Sequence, residues 1–138
     1  LFNIFEKDSR KRGDIHLLNY GSAHKDIIMD VTVGNPACAT NIGTWHSDRT
    51  QFATIKNLAA KKVRKYGDLC QRINKTFIPL AFESYGAWSE KGVEVLQNLV
   101  SDASDTTQIP ASVLSNYWAK RISCAMQRCN ARCIISII

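Results

Sequence analysis

Apolar and polar positions along the chain change period several times, and those changes set out its elements. Asp14-Ile15-His16-Leu17-Leu18 reads as a short strand, and Asp26-Ile27-Ile28-Met29-Asp30-Val31-Thr32-Val33 as a longer, β-branched one. Asn19 to His24 carries turn chemistry between them, which makes the pair a hairpin. Gly34 to Ser47 mixes Gly, Pro, Asn and Thr without a period and reads as a loop after a strand end, a place suited to facing a substrate. Asp48 followed by Gln51 resembles a capping box and predicts that a helix starts there, running to about Ile73. In it Phe52, Ile55, Leu58, Ala59, Tyr66, Leu69 and Ile73 share one stripe, with Gly67 as a candidate break. Thr76 to Glu83 is apolar almost throughout, as in a strand buried on both faces, although Pro79 removes a backbone donor and argues for an edge or a bulge. Ser84 to Trp88 turns the chain into a helix over Ser89 to Val100, and Asp102 to Pro110 reads as a polar loop. Ser112 begins a last helix, whose apolar stripe is Val113, Leu114, Tyr117, Trp118, Ile122 and Ala125 and whose basic residues include Lys120, Arg121 and Arg128. The order hairpin, helix, strand, helix, helix predicts an α/β or α+β fold, a small central mixed sheet with an antiparallel hairpin flanked by helices.

A length of 138 residues at 45% hydrophobic content suits one domain. Its core is expected at about 11–100, with a helical extension over 111–138. A start at Leu1 without methionine suggests a piece of a longer protein. No apolar run approaches the ~20 residues that span a bilayer, and Leu1 to Phe5 is too short for a signal segment, so no membrane partner is expected from either. The net charge of +6 favours a polyanionic partner, nucleic acid before acidic membrane surfaces. Five cysteines without a C-x-x-C pair suit a reducing, intracellular setting better than a disulfide framework or a standard zinc site. Cys124, Cys129 and Cys133 lie at near-helical spacing and read as buried small apolar residues.

The chemistry-bearing candidates begin with two acids. A hairpin turn centred on Ser22 sets Asp14 directly opposite Asp30, because antiparallel partners share a constant index sum. Like charges that close destabilise a sheet unless something positive lies between them, and facing carboxylates are how a protein holds Mg²⁺ for phosphate chemistry. Taken singly, each reads first as an acid at a strand end turned to water; their shared register reverses that preference. Lys62 falls inside the apolar arc of its helix, between Ile55, Leu58, Ala59 and Tyr66, so it faces the sheet; Lys61 and Arg64 lie on the opposite side and Lys65 at the rim. An inward lysine either snorkels to water or serves a carboxylate pair.

Lys11-Arg12-Gly13-Asp14, Asp30-Val31-Thr32-Val33, Lys62-Val63-Arg64-Lys65-Tyr66 and Phe77 to Trp88 together resemble the restriction-endonuclease-like domain that follows the reverse transcriptase in some non-LTR retroelements. The resemblance covers about 11–100. That family is similar to the wider P-D…(D/E)-x-K nucleases but takes its lysine from the following helix, in a K-x-x-K-Y pattern matched by Lys62, Lys65 and Tyr66. Gly13 replaces the usual proline, Thr32 stands where the strand lysine would be, and the loop from Gly34 is long. The resemblance implies a restriction-endonuclease-like fold and a DNA endonuclease that hydrolyses phosphodiesters with Mg²⁺ or Mn²⁺. It implies Asp14 and Asp30 as metal ligands, Lys62 as catalytic lysine, and Lys65 with Tyr66 as supporting groups near the scissile phosphate. It further implies DNA as partner, a reverse transcriptase domain in the same polypeptide and a nuclear location. The rival expectation is a nucleic-acid-binding module of this fold that has lost cleavage.

Other positions keep two readings. Glu83 is a further metal ligand, a nearby hydrogen-bond acceptor or a plain surface glutamate. Trp45 and His46 either meet a nucleobase or pack, with packing favoured for Trp45. His16, on the strand face of Asp14, donates to a phosphate or is a satisfied structural histidine. Arg10, Lys11 and Arg12 are phosphate contacts or a solvated charge run.

Overall fold

The computed structural model describes residues 13–21 and 24–136. Alternating apolar positions build strands β1 (Ile15–Tyr20) and β2 (Lys25–Gly34), and a nearly unbroken apolar run builds β3 (Thr76–Glu83). β1 pairs antiparallel with β2, and β3 lies parallel on its other side, giving the order β1-β2-β3. This is the expected mixed sheet with an antiparallel hairpin in an α+β fold. β3 is an edge strand, where the donor missing from Pro79 costs least.

The parallel return from β2 to β3 needs a crossover, and helices α1 (Ala39–Trp45) and α2 (Ala53–Arg72) provide it. The even-numbered residues of β2 and odd-numbered residues of β3 face α2. Ile28 packs with Tyr66 and Cys70, joined by Leu69 and by Phe77, whose ring centroid lies 5.3 Å from that of Tyr66. The opposite face of β3 receives α3 (Glu90–Thr107), and α4 (Ala111–Ile135) packs on α3. Phe82 and Trp88 meet edge to face there, 5.1 Å apart. The Tyr20 hydroxyl bonds to Asp102 of α3, tying β1 to that layer; burial and this contact push its pKa up to about 12.

Several expectations need correction. The segment Gly34 to Ser47 is not all loop, since α1 forms within it, a helix of 7 residues too short to show a period. Asp48 does not cap α2. The helix begins at Ala53 behind Phe52 at φ +61°, with no side-chain cap, while Asp48 accepts from Arg49 Nε at 3.2 Å. Gly67 does not break the helix. α3 runs through two thirds of the expected polar loop, its Thr106 and Thr107 hydroxyls donating to the carbonyls of Asp102 and Ala103. Polarity there reports exposure, not a helix end.

The largest departure is α4, which buries no residue. Its partly buried residues are Leu114, Ser115, Ala119, Ile122, Met126 and Asn130, so of the expected apolar stripe Leu114 and Ile122 are half-buried while Val113, Tyr117 and Trp118 stand about half in water. Cys124, Cys129 and Cys133 are exposed, not buried; Cys70 in α2 is the buried cysteine.

At Gly34 β2 and α2 approach closely. A Cβ there would lie 2.5 Å from Leu58 Cδ1 and 2.6 Å from Thr54 Cγ2, and fully buried, β-branched Thr54 has little room to turn. Gly34→Ala is expected to lower stability by about 1–3 kcal/mol in urea unfolding. Gly43→Ala, in open space within α1, should leave it unchanged or raise it by up to about 1 kcal/mol.

Candidate active site

The hairpin register Ile15↔Met29, His16↔Ile28, Leu17↔Ile27, continued by one position, sets Asp14 against Asp30. Two hydrogen bonds fix Asp14 there. Its N–H donates to Met29 O at 2.9 Å, and its Oδ2 accepts from Val31 N–H at 2.7 Å, so the residue brackets Asp30. Asp14 is exposed, whereas Asp30 in mid-strand is only 5% exposed.

Burial of a carboxylate is costly without a partner. Lys62 supplies it from the sheet-facing side of α2, its Nζ forming an ion pair with Asp30 Oδ2. The placement follows from helical spacing, because Lys62 is one turn before Tyr66, the residue that packs on Ile28. Lys62 keeps about a quarter of its side chain in water, so the pair lies at the mouth of the layer between sheet and helix. Tyr66 forms the floor, with Lys62 Nζ 6.0 Å and Lys65 Nζ 4.6 Å from its ring centroid. The Tyr66 hydroxyl beside Lys65 raises that ammonium above the ordinary lysine pKa, with a smaller contribution from Asp30. Asp30, Lys62, Lys65 and Tyr66 thus share one neighbourhood on the α2 face, and Asp14 is held next to Asp30 in the hairpin by its bond from the Val31 N–H.

Glu83 does not join them. It pairs in register with Gly34, four residues along β2 from Asp30 and so about 13 Å away. There it is buried, and burial raises its pKa while the Ile55 N–H, donating to its carboxylate, opposes that shift. It borders a separate cleft of about 410 Å³ with Pro36, Ser47 and Phe52. Among the described residues no group of three or more His, Cys, Asp and Glu gathers in one place.

His16 lies on the α2 face but two pairing steps from Asp14, and its Nε2 is 2.9 Å from Asp26 Oδ2 and 3.2 Å from Lys75 Nζ. Lys75 Nζ in turn pairs with Asp26 Oδ2 at 3.0 Å. Depending on tautomer, Nε2 donates to Asp26 or accepts from Lys75. Sequence reasoning missed Asp26 and Lys75. The available signal was the hairpin register, which makes Asp26 the diagonal neighbour of His16. Trp45 is half-buried under Lys61, whose Nζ lies 4.4 Å from the ring centroid, and exposed His46 ends α1 at φ +52°. Arg10, Lys11 and Arg12 lie outside the described residues.

No protein-family model, curated protein or solved structure matches the chain. The chemistry of this site therefore rests on its own residues.

Two outcomes follow. Removing the Lys62 ammonium in Lys62→Ala leaves Asp30 buried without its cation and should cost about 2–3 kcal/mol in urea unfolding, the low end for a broken buried pair because Lys62 is partly solvated. Asp26 titrates at about 2 instead of 3.8, first because the Asn19 N–H donates to its carboxylate and then because of Lys75 and His16. A depressed carboxylate pKa stabilises the fold above the unfolded value and loses that effect on acidification. The urea midpoint should therefore fall as pH drops from 3.8 to about 2, and Asp26→Asn should flatten that decline.

Proposed function

We propose that this chain is a metal-dependent DNA endonuclease domain of the restriction-endonuclease-like kind, its centre built from Asp14, Asp30 and Lys62. The observation that carries the reading is the buried Asp30–Lys62 pair, with Asp14 opposite Asp30 in the hairpin and bonded to the next residue of β2. Packing alone does not require it, since an apolar pair of similar volume would hold α2 on β2 about as well.

The donor set fits a hard cation. Asp14 and Asp30 offer carboxylate oxygens, and a carboxylate accepts up to about four partners, so neither the Val31 N–H nor Lys62 saturates it. Mg²⁺ or Mn²⁺ would be held by these two residues, and when bound would supply Lewis acidity at the phosphate and a more acidic water. The remaining steps belong to the chain. Lys62, partly solvated beside Asp30, would hold a phosphate oxygen as negative charge grows on it, and Lys65 would add a second cation at the rim. Water oxygen forms the new bond to phosphorus, the bond from phosphorus to the leaving sugar oxygen breaks, and the water's proton ends on that oxygen. Thr32, in place of the strand lysine of related nucleases, is accommodated because Lys62 reaches the same carboxylate from the helix.

In a retroelement protein a nick of this type would prime reverse transcription by a polymerase domain of the same polypeptide, in the nucleus. A second reading, a nucleic-acid-binding module without cleavage, draws on the same ion pair, since Lys62 already neutralises Asp30.

Supercoiled plasmid with Mg²⁺ or Mn²⁺ distinguishes them. The wild-type domain should nick it, Asp30→Ala should abolish nicking without weakening a gel shift, and Lys62→Met should slow it about 100-fold or more. Glu83→Gln should nick at the wild-type rate. Wild-type binding without nicking would establish the second reading.

A further inference from the structure

α4 is the least embedded element of the fold, and its composition is unlike that of its neighbour. Ala111–Ile135 contains Lys120, Arg121, Arg128 and Arg132 and neither Asp nor Glu, while α3 contains Glu90, Glu94, Asp102 and Asp105 against Lys91. Had the cations of α4 been placed to balance α3, they would lie on the shared face. They do not. The packed stripe is Ser115, Ala119, Ile122, Met126 and Asn130, the last donating from Nδ2 to Ser84 O at 2.7 Å. At 100° per residue Arg121, Arg128 and Arg132 fall within about 40° of one another on the far side of the helix, centred more than 120° from that stripe. All three are exposed, and among the described residues none forms an ion pair. Tyr117 extends the row by one turn, its ring centroid 6.0 Å from the Arg121 guanidinium.

We infer that this outward face of α4 is a docking surface for the phosphate backbone of duplex DNA, separate from the Asp14–Asp30–Lys62 centre. The choice of DNA rests on the proposed nuclease function; the choice of a polyanion rests on the helix itself. Three guanidiniums spread over about 16 Å of a straight helix suit a stiff, regularly charged strand. A helix lying in a membrane interface would instead centre its outward face on apolar residues and set cations at the rim. Here three of the four residues nearest the centre of that face are arginine, the fourth being half-buried Leu114.

The test uses the whole chain and a fluorescent duplex of about 30 base pairs, with affinity measured by anisotropy across a salt series. Each phosphate contact contributes about 0.9 to the slope of log K against log salt, so replacing Arg121, Arg128 and Arg132 together by Gln should reduce the slope by roughly 2–3. Their joint replacement by Lys, which keeps the charge, should restore most of it. Circular dichroism checks that both variants keep wild-type helicity. An unchanged slope in the Gln variant overturns the inference, as does wild-type binding to phosphatidylserine vesicles with no affinity for the duplex. If the slope falls as expected but the wild-type chain nicks no plasmid, the docking surface stands and the nuclease reading fails.

Discussion

A carboxylate in the middle of a central strand is costly to bury, and the Asp30–Lys62 pair is how this fold meets that cost. Much else is arranged around it. Lys62 meets Asp30 only if α2 lies along the sheet with Tyr66 on Ile28 and Thr54 and Leu58 close to Gly34. One turn away the same two elements meet through wholly apolar packing, with Tyr66, Cys70 and Ile28 in contact. The charged pair is therefore a departure from a working apolar solution, and because buried ion pairs add little net stability over such a solution, packing alone does not account for it.

The α2 face of the sheet divides into three polar stations separated by apolar packing. At one end His16, Asp26 and Lys75 form a hydrogen-bonded group, and the Asn19 N–H, then Lys75 and His16, draw Asp26 well below the usual carboxylate range. Ile28 and Tyr66 separate it from the Asp14, Asp30 and Lys62 cluster, and Gly34 with Glu83 closes the other end. The middle station is the one that sets two acids opposite each other with an amine at the edge of solvent: carboxylate oxygens are the ligands a hard cation takes, and an ammonium is a partner for a phosphate oxygen. The helical layer on the opposite side contributes charge separation, with acids on α3 and the arginines of α4 turned away from them.

The sheet was legible because its signals are local and redundant. β-branched runs, a polar turn and a Pro-bearing apolar segment located β1, β2 and β3, and the index sum of the hairpin placed Asp14 against Asp30. Helical phase turned Lys62 inward. What stayed hidden depended on long-range context. The 7 residues of α1 offer no period, Phe52 opens α2 in a left-handed conformation that propensity disfavours, and the polar end of α3 was indistinguishable from a loop. The cysteines of α4 have helical spacing, but spacing cannot tell which side of a helix finds a neighbour, and α4 has few. Lys75 reaches His16 across 59 positions, a contact with no sequence signature.

The proposed centre requires a cation and Lys62 to share the Asp30 carboxylate, and Mn²⁺ titration followed by amide NMR reads that directly. Paramagnetic broadening should appear first at Asp14, Asp30, Val31 and Lys62, with Glu83 and His16 affected later, and Asp30→Asn should remove the early broadening. Broadening that begins at Glu83 or the His16–Asp26 group, or that survives in Asp30→Asn, would contradict it.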